Sequence, residues 1–376
     1  MQKGAEKRAS GRWWGPSEMA RKRPYLEARR AAHKAVRAYF QAEGFIDVET
    51  PALQVSGGVE RHIRAFATNL EEPFGGEAPM SLHTSPEFAM KKLLASGLGK
   101  IVQVCRVFRN GERSPLHHPE FTMIEWYRAG TDYDEAMNDC AALVAKVAAS
   151  SQRALEHDGR LHWRGVTCDA GATPERLTVE DAFRRFAGIE LLATIDDHVA
   201  PIPDARSLKA AAIKVGISCS EADTWEDVFF RIMLDRIEPR LGHGRLTFLI
   251  DYPACLAALA RRKPGDQRVA ERFEMYACGV ELANGFSELT DAAEQRRRFE
   301  HDQEMHLHLY GVAPPIDEDF IAALTAGLPE SAGCALGFDR LVMLAAHADA
   351  LTDVLWAPVA AVDGDQVVHK ASSPES

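Results

Sequence analysis

Residues 106–127 read RVFRNGERSPLHHPEFTMIEWY, and this stretch decides the fold. It begins and ends with alternating apolar and polar residues, the period of a half-buried strand. Between the two runs lies a turn crowded with Arg109, Glu112, Arg113, His117 and His118. KIVQVCRVFR extends the first run upstream and EFTMIEWYR completes the second, so the two predict an antiparallel pair across a long hairpin loop. On the first strand Ile101, Gln103, Cys105, Val107 and Arg109 share a face, and on the second Phe121, Met123, Glu125 and Tyr127 do. A carboxylate and a phenol two residues apart suit capture of an ammonium group. They equally suit an ion pair at the edge of a core.

The whole chain has 376 residues, 46% of them apolar, enough to bury a real core in one large domain or two modest ones. Its formal net charge of −11 argues against a protein whose main partner is a nucleic-acid backbone. The seven cysteines are scattered and form no C-x-x-C pair, which predicts a reducing compartment rather than a disulfide framework or zinc site. No apolar run approaches the roughly 20 residues that span a bilayer. The N-terminus carries no signal-like apolar segment. A cytoplasmic protein is the expectation.

Residues 1–23 are polar and basic and read as a mobile tail, with Trp13 and Trp14 suggesting that part of it docks. Residues 24–360 read as the folded domain and 361–376 as a second tail. Pro24 to Glu43 has a helical stripe, with Pro24 in the first turn and Gly44 at the stop. FIDVET is a short strand broken by Pro51. TSPEFAMKKLLASG is a helix entered through Thr84 or Ser85, with Pro86 in its first turn. Further helical patterns lie near 137–150, 178–187 and 225–238, and RLTFLIDYP is a strand. RFEMYACGVELANGF holds two strands around Cys278 and Gly279, and a charged helix starts at Asp291 with Glu294 at capping-box spacing. GCALGFDRLVMLAAHADALTDVLW gives a strand, a glycine and a helix with Arg340 in its first turn. The pattern predicts an α+β fold around a largely antiparallel sheet flanked by helices.

Arg109 at a strand end and Arg340 at a helix start suit phosphate, because the guanidinium fork matches phosphate oxygens and stays charged when desolvated. Each equally suits a structural salt bridge. Glu281 and Glu288, seven residues apart around LANGFS, could hold magnesium through oxygens and waters or be a solvated pair. Glu87 also reads as a first-turn acid complementing its helix dipole.

Taken in order, GFIDVETPAL, TSPEFAMKKLL, CRVFRN…HHPEFTMIEWY, GVELANGFSELTDAAEQ and ALGFDRLVMLA resemble the catalytic domain of class II lysyl-tRNA synthetases. The resemblance runs from about residue 24 to 358. The first block is similar to motif 1, which shapes a homodimer interface, the hairpin to motif 2 and the last block to motif 3. Only about 23 residues precede the motif-1 helix, too few for the anticodon-binding OB barrel of a synthetase. A bare catalytic domain of this kind resembles the elongation factor P lysyltransferases, which activate (R)-β-lysine and attach it to a lysine of that factor. Ala335 stands where synthetases carry glycine, and Ala293 where they carry glutamate. Gly111 replaces a motif-2 acid that faces adenine, and His118 an asparagine.

The resemblance implies ATP as a substrate with Mg2+, and it implies roles for particular residues. Arg109 would bind the α-phosphate and Arg340 the γ-phosphate end. Asn110, Gly111, His118, Phe121, Glu281, Leu282 and Gly337 would complete the nucleotide site, with Phe121 stacked on adenine. Glu281 and Glu288 would organise the metal. Ser85, Pro86, Glu87, Glu125, Tyr127 and Glu288 would line the site for (R)-β-lysine or lysine. Elongation factor P would be the acceptor, with tRNA binding and membrane association unexpected. A truncated synthetase that charges tRNA and a silent sensor of lysine or adenylate are the rival readings. Retention of both arginines and both carboxylates argues against the sensor.

Overall fold

The computed structural model of the protein describes residues 12–58, 60–195 and 203–360. Eight strands form the central sheet: β1 Ile46–Asp47, β2 Lys100–Phe108, β3 Glu120–Ala129, β4 Glu175–Thr178, β5 Thr247–Pro253, β6 Val269–Ala277, β7 Val280–Ser287 and β8 Ser331–Gly337. Their spatial order is β1-β2-β3-β8-β7-β6-β5-β4. The six inner strands pair antiparallel, and only the edge strands β1 and β4 pair parallel. The α+β, largely antiparallel architecture expected from the sequence is therefore the observed one. A small sheet of Leu53–Gln54, Phe66–Glu71 and Glu77–Leu82 stands beside it.

Alternation along β3 separates the two faces of the sheet. Ile124 and Trp126 are fully buried against α1 (Pro16–Ala42) and α3 (Tyr133–Leu155). Met123, Glu125 and Tyr127 point the other way and line an open cleft. Across the hairpin Gln103 opposes Glu125 and Val107 opposes Phe121. The second face is closed by α2 (Glu87–Ala95), α4 (Ala292–Tyr310) and α5 (Glu318–Gly327), where Phe88 stacks on Phe320 with ring centroids 4.7 Å apart. A short helix, α6 (Phe338–Ala345), follows β8 directly and is buried except at Arg340.

The first helix is longer than its sequence pattern suggests. It starts at Pro16, which makes Pro24 an interior residue, and residues 16–23 are not tail. Tertiary contacts hold the extra turns: buried Lys22 donates to the Leu355 carbonyl at 2.5 Å, and Arg21 pairs with Asp353 at 2.7 Å. Residues 1–11 and 361–376 lie outside the described residues. Nearer the helix centre, Arg29 pairs with Asp339 of α6 at 2.5 Å and donates to Thr122 Oγ1 of β3 at 3.0 Å. Asp339 in turn accepts the Thr122 amide at 2.8 Å. Both charged groups are buried. Breaking such a pair leaves an uncompensated buried charge, which costs about 3–5 kcal/mol. Arg29→Met should therefore lower unfolding free energy by that order in denaturant titration, and the double variant Arg29→Met/Asp339→Leu should recover much of the loss.

Candidate active site

The cleft on the open face of the sheet has a volume of about 320 Å³. Its walls come from β3, β6, β7, β8, the start of α2 and the loop between β2 and β3. One end is acidic and buried. Glu125 accepts from Ser85 Oγ at 2.6 Å and from the Tyr127 hydroxyl at 2.6 Å. Glu288, just after β7, is 2% exposed, and its Oε1 receives no hydrogen bond among the described residues. Between Glu288 and Glu87 sits Lys91, whose Nζ lies 2.5 Å from Glu288 Oε2 and 2.5 Å from Glu87 Oε1. Sequence reasoning missed Lys91. The signal was the four-residue spacing Glu87–Lys91 on one helix face, but that spacing reads as a surface pair, whereas the Phe286 and Phe320 rings flank this ammonium.

Burial and mutual repulsion set the protonation of this end. Burial pushes the Glu125 carboxyl up to about 8, with the Glu87 charge adding to the effect and the Ser85 and Tyr127 hydrogen bonds opposing it. Burial likewise pushes Glu288 up to about 8, against the pull of Lys91. The Lys91 ammonium loses solvation, but the Glu288 and Glu87 charges outweigh that and raise it above its ordinary value. Tyr127 is held protonated by burial and by Glu125. Gly333 of β8 faces the same pocket, and a methyl there would overlap the Tyr127 ring and Glu288 Oε1. Ala335, directly opposite Glu125 in register, also lines the cleft.

The other end is cationic. The Arg109 guanidinium lies 5.2 Å from the centroid of the Phe121 ring, and its buried Nε has no partner among the described residues. Glu112 approaches it only to 4.0 Å. Arg340 donates to the Leu116 carbonyl at 3.1 Å and the Glu281 carbonyl at 2.9 Å, which ties α6 to the hairpin loop and to β7. Gly337 and Leu282 line the same end, and a Cβ at Gly337 would meet nothing closer than 3.8 Å. Arg272 and Glu274 of β6, also not foreseen, complete the wall and pair at 2.6 Å.

Several expected residues are placed differently. Glu281 lies at the start of β7 and Glu288 just beyond its end, so roughly 20 Å of extended chain separates them and they cannot share one ion. Glu288 belongs to the ammonium pocket. Glu281 instead neighbours Glu274 and Glu238, and burial together with those two charges pushes Glu238 up to about 7. These three do not converge as a metal site: Glu281 lies 3.6 Å from Arg340, Glu274 is bonded to Arg272, Tyr252 and Tyr276, and among the described residues no three acids of the cleft come close enough together to hold an ion by themselves. His118 hydrogen-bonds the Glu120 carbonyl through Nδ1 and accepts the Val359 amide through Nε2, which leaves neither ring nitrogen for a nucleotide. His118 still lines the cleft beside His117, which is bonded to Ser114 Oγ at 2.7 Å and pushed toward the neutral form by burial and by Arg340. Asn110 and Gly111 are not on the cleft wall. The Asn110 amide donates to the Arg64 carbonyl at 2.7 Å, and Gly111 has φ +85° where a Cβ would overlap the Arg64 guanidinium. Pro86 lines an adjoining cavity and not the cleft. Ala293 is exposed on α4.

An antiparallel sheet with a motif-2 type hairpin, facing arginines and a buried acidic pocket defines a class II synthetase catalytic domain. The family model for class II tRNA synthetases (D, K and N) matches residues 7–360. Elongation factor P–(R)-β-lysine ligase from Sodalis glossinidius (strain morsitans) is 40% identical across 85% of this chain and 90% of its own. The ligases of the same name from Vibrio atlanticus (strain LGP32) and Enterobacter sp. (strain 638) are 37% and 40% identical, across 98% and 96% of their lengths and 92% and 91% of this chain. The chain belongs to the class II synthetase family and, within it, to the branch that holds the elongation factor P–(R)-β-lysine ligases.

Because Glu125 and Glu288 lie near 8 in the free protein, they hold protons at pH 6 that a dicationic ligand must displace. Affinity for a diamino acid should rise as pH is raised from 6 toward about 8, with protons released on binding. Calorimetry in buffers of different ionisation enthalpy measures both. Gly333→Ala should abolish the binding heat while leaving ATP binding intact.

Proposed function

We propose that the protein activates (R)-β-lysine, or lysine, with ATP as an acyl-adenylate and transfers it to a lysine side chain of elongation factor P. One observation carries the reading: three carboxylates, Glu125 and Glu288 buried and Glu87 partly so, balanced by the single buried ammonium of Lys91, share a cleft with an arginine whose Nε has no partner among the described residues. Glu87, Glu125 and Glu288 less Lys91 leave two negative charges for the two ammonium groups of the substrate. Neutral amino acids cannot supply that balance.

In the first step the substrate carboxylate, already anionic at pH 7, attacks the α-phosphorus in line. An O–P bond forms and pyrophosphate leaves, so positioning and charge stabilisation do the work. Arg109 offers its free donors to the α-phosphate and offsets charge in the transition state. Arg340 holds the γ-phosphate end, and Phe121, Leu282, His117 and Gly337 frame the base and ribose. Magnesium, which Glu281 would help to hold together with the phosphate oxygens of ATP, would neutralise phosphate charge. A cytoplasmic homodimer fits the reading: the face of α1 with Arg30, Lys34 and Arg37 is open, Ile46 of β1 is half exposed, and no helix among the described residues is long and apolar enough to cross a membrane.

ATP–pyrophosphate exchange tests the reading. Exchange should require a diamino acid, and product should form on elongation factor P and not on tRNA. Glu125→Ala or Glu87→Ala should slow exchange about 30-fold or more, since losing the partner of a buried charge costs on the order of 2–5 kcal/mol. Undiminished exchange in both variants would sink the assignment. Arg109→Lys keeps the charge but loses the fork, and should lower kcat for exchange with little change in amino-acid KM.

A further inference from the structure

The loop between β2 and β3 brings Glu112, Leu116, His117 and His118 to the cationic end of the cleft. None of residues 110–117 is buried, so the loop has no core of its own to keep its shape. Inside it, Ser114 and His117 exchange backbone hydrogen bonds at 3.1 and 3.3 Å, and the Arg109 amide closes its base on the Pro119 carbonyl at 2.9 Å. From outside, Arg340 reaches the Leu116 carbonyl and the Asn110 amide reaches Arg64. Further ties come from one segment, residues 351–360, a little beyond α6. The Leu351 amide donates to the Pro115 carbonyl at 3.0 Å, and Leu351 itself lines the cleft. The Val359 amide donates to His118 Nε2 at 3.1 Å, and Arg113 donates to the Val359 and Ala360 carbonyls at 3.5 and 3.3 Å. The segment is itself anchored. Leu351, Asp353, Val354 and Leu355 are buried. From α1, Arg21 bonds the Asp353 carboxylate, Arg29 the Val354 carbonyl and Lys22 the Leu355 carbonyl.

We infer that residues 351–360 are a strap that holds the nucleotide end of the cleft in its binding shape, with His118 as the positioning residue through which it acts. The inference rests on the proposed use of ATP and deepens it. The His118 ring has one tautomer here. The Glu120 carbonyl can only accept, so Nδ1 carries the proton. Nε2 then presents a lone pair, and the Val359 amide uses it. The ring is therefore a bridge between the strap and the start of β3, and its chain neighbour His117 is on the cleft wall. A loop already ordered before its ligand arrives loses less freedom on binding. The amino-acid end is held differently, Glu125 by Ser85 and Tyr127, and Glu87 and Glu288 by Lys91. Loosening the strap should therefore weaken one substrate and spare the other.

ATP affinity, measured by calorimetry without amino acid, separates this role from general packing. His118→Phe fills the space of the ring and offers no acceptor. His118→Gln loses the bond to Glu120 as well, but its amide oxygen can still accept from Val359. His118→Phe should weaken ATP binding at least about fivefold, and His118→Gln less than about twofold. In pyrophosphate exchange the KM for the diamino acid should stay within about twofold of the parent in both. Val359→Pro deletes the amide hydrogen from the strap and leaves every residue of the cleft in place. It should match His118→Phe, and the double variant should bind ATP no more weakly than either single one. The two tests approach one bond from opposite ends, so either decides where a variant of the other fails to fold. Equal ATP affinity in the Gln and Phe variants, additive losses in the double variant, or a diamino-acid KM that rises in step with the ATP Kd would each overturn the inference. Failure of ATP to bind the unaltered protein would instead overturn the proposed function itself.

Discussion

The Arg29–Asp339 pair is the constraint on which the site depends. Asp339 bonds the guanidinium of α1 and the Thr122 amide of β3 with its two oxygens, and Arg29 bonds Thr122 again through its hydroxyl. Three segments far apart in sequence are thereby fixed to one another without water. Arg340 follows Asp339 directly, so the same contact sets where it enters the cleft relative to Arg109, on the hairpin whose returning strand carries Thr122. A buried pair of this kind adds little net stability over an apolar packing of equal volume. Its value here is registry, because no apolar contact would set the rotation of α6 so narrowly.

At the acidic end the governing quantity is charge balance. Glu125 and Glu288 are buried within reach of Glu87, and Lys91 is the internal cation that makes the arrangement tolerable. It is held by aromatic rings and by two carboxylates at once, so it is a fixture of the pocket and not a mobile surface lysine. The remaining negative charge is what gives a diamino acid its advantage. The raised Glu125 and Glu288 carboxyls express the same fact in the free protein, where no ligand cation is present to hold them ionised.

Much of the site is legible in the amino-acid sequence. Strict alternation in β2 and β3 assigns Glu125 and Tyr127 to one face, and the structure puts both on the cleft wall. Ser85, Glu87, Arg109, Phe121, Leu282, Gly337 and Arg340 are brought to the same cleft. What is not legible has physical causes. The start of α1 depends on Lys22 and Arg21 meeting residues 353–355, a contact more than 300 residues distant in sequence. His118 reads as free to bond a nucleotide because nothing in its neighbourhood shows that Val359 returns to cap it. The seven-residue spacing of Glu281 and Glu288 carries no distance until one knows that the chain between them is extended.

Local chemistry and period, then, were determined by the sequence itself: strand alternation, helix-entry residues, and the charged side chains available to phosphates and ammonium groups. Those depend on neighbours a few residues away, where covalent geometry fixes direction. Tertiary structure alone decided which charges are buried, which are already partnered and which stand free. It put Lys91 between two acids, tied both ring nitrogens of His118 to backbone groups, and left the Arg109 Nε without a hydrogen-bond partner among the described residues. Burial and pairing are sums over contacts from the whole chain, so a residue's protonation and its freedom to bind exist only once the fold has closed around it.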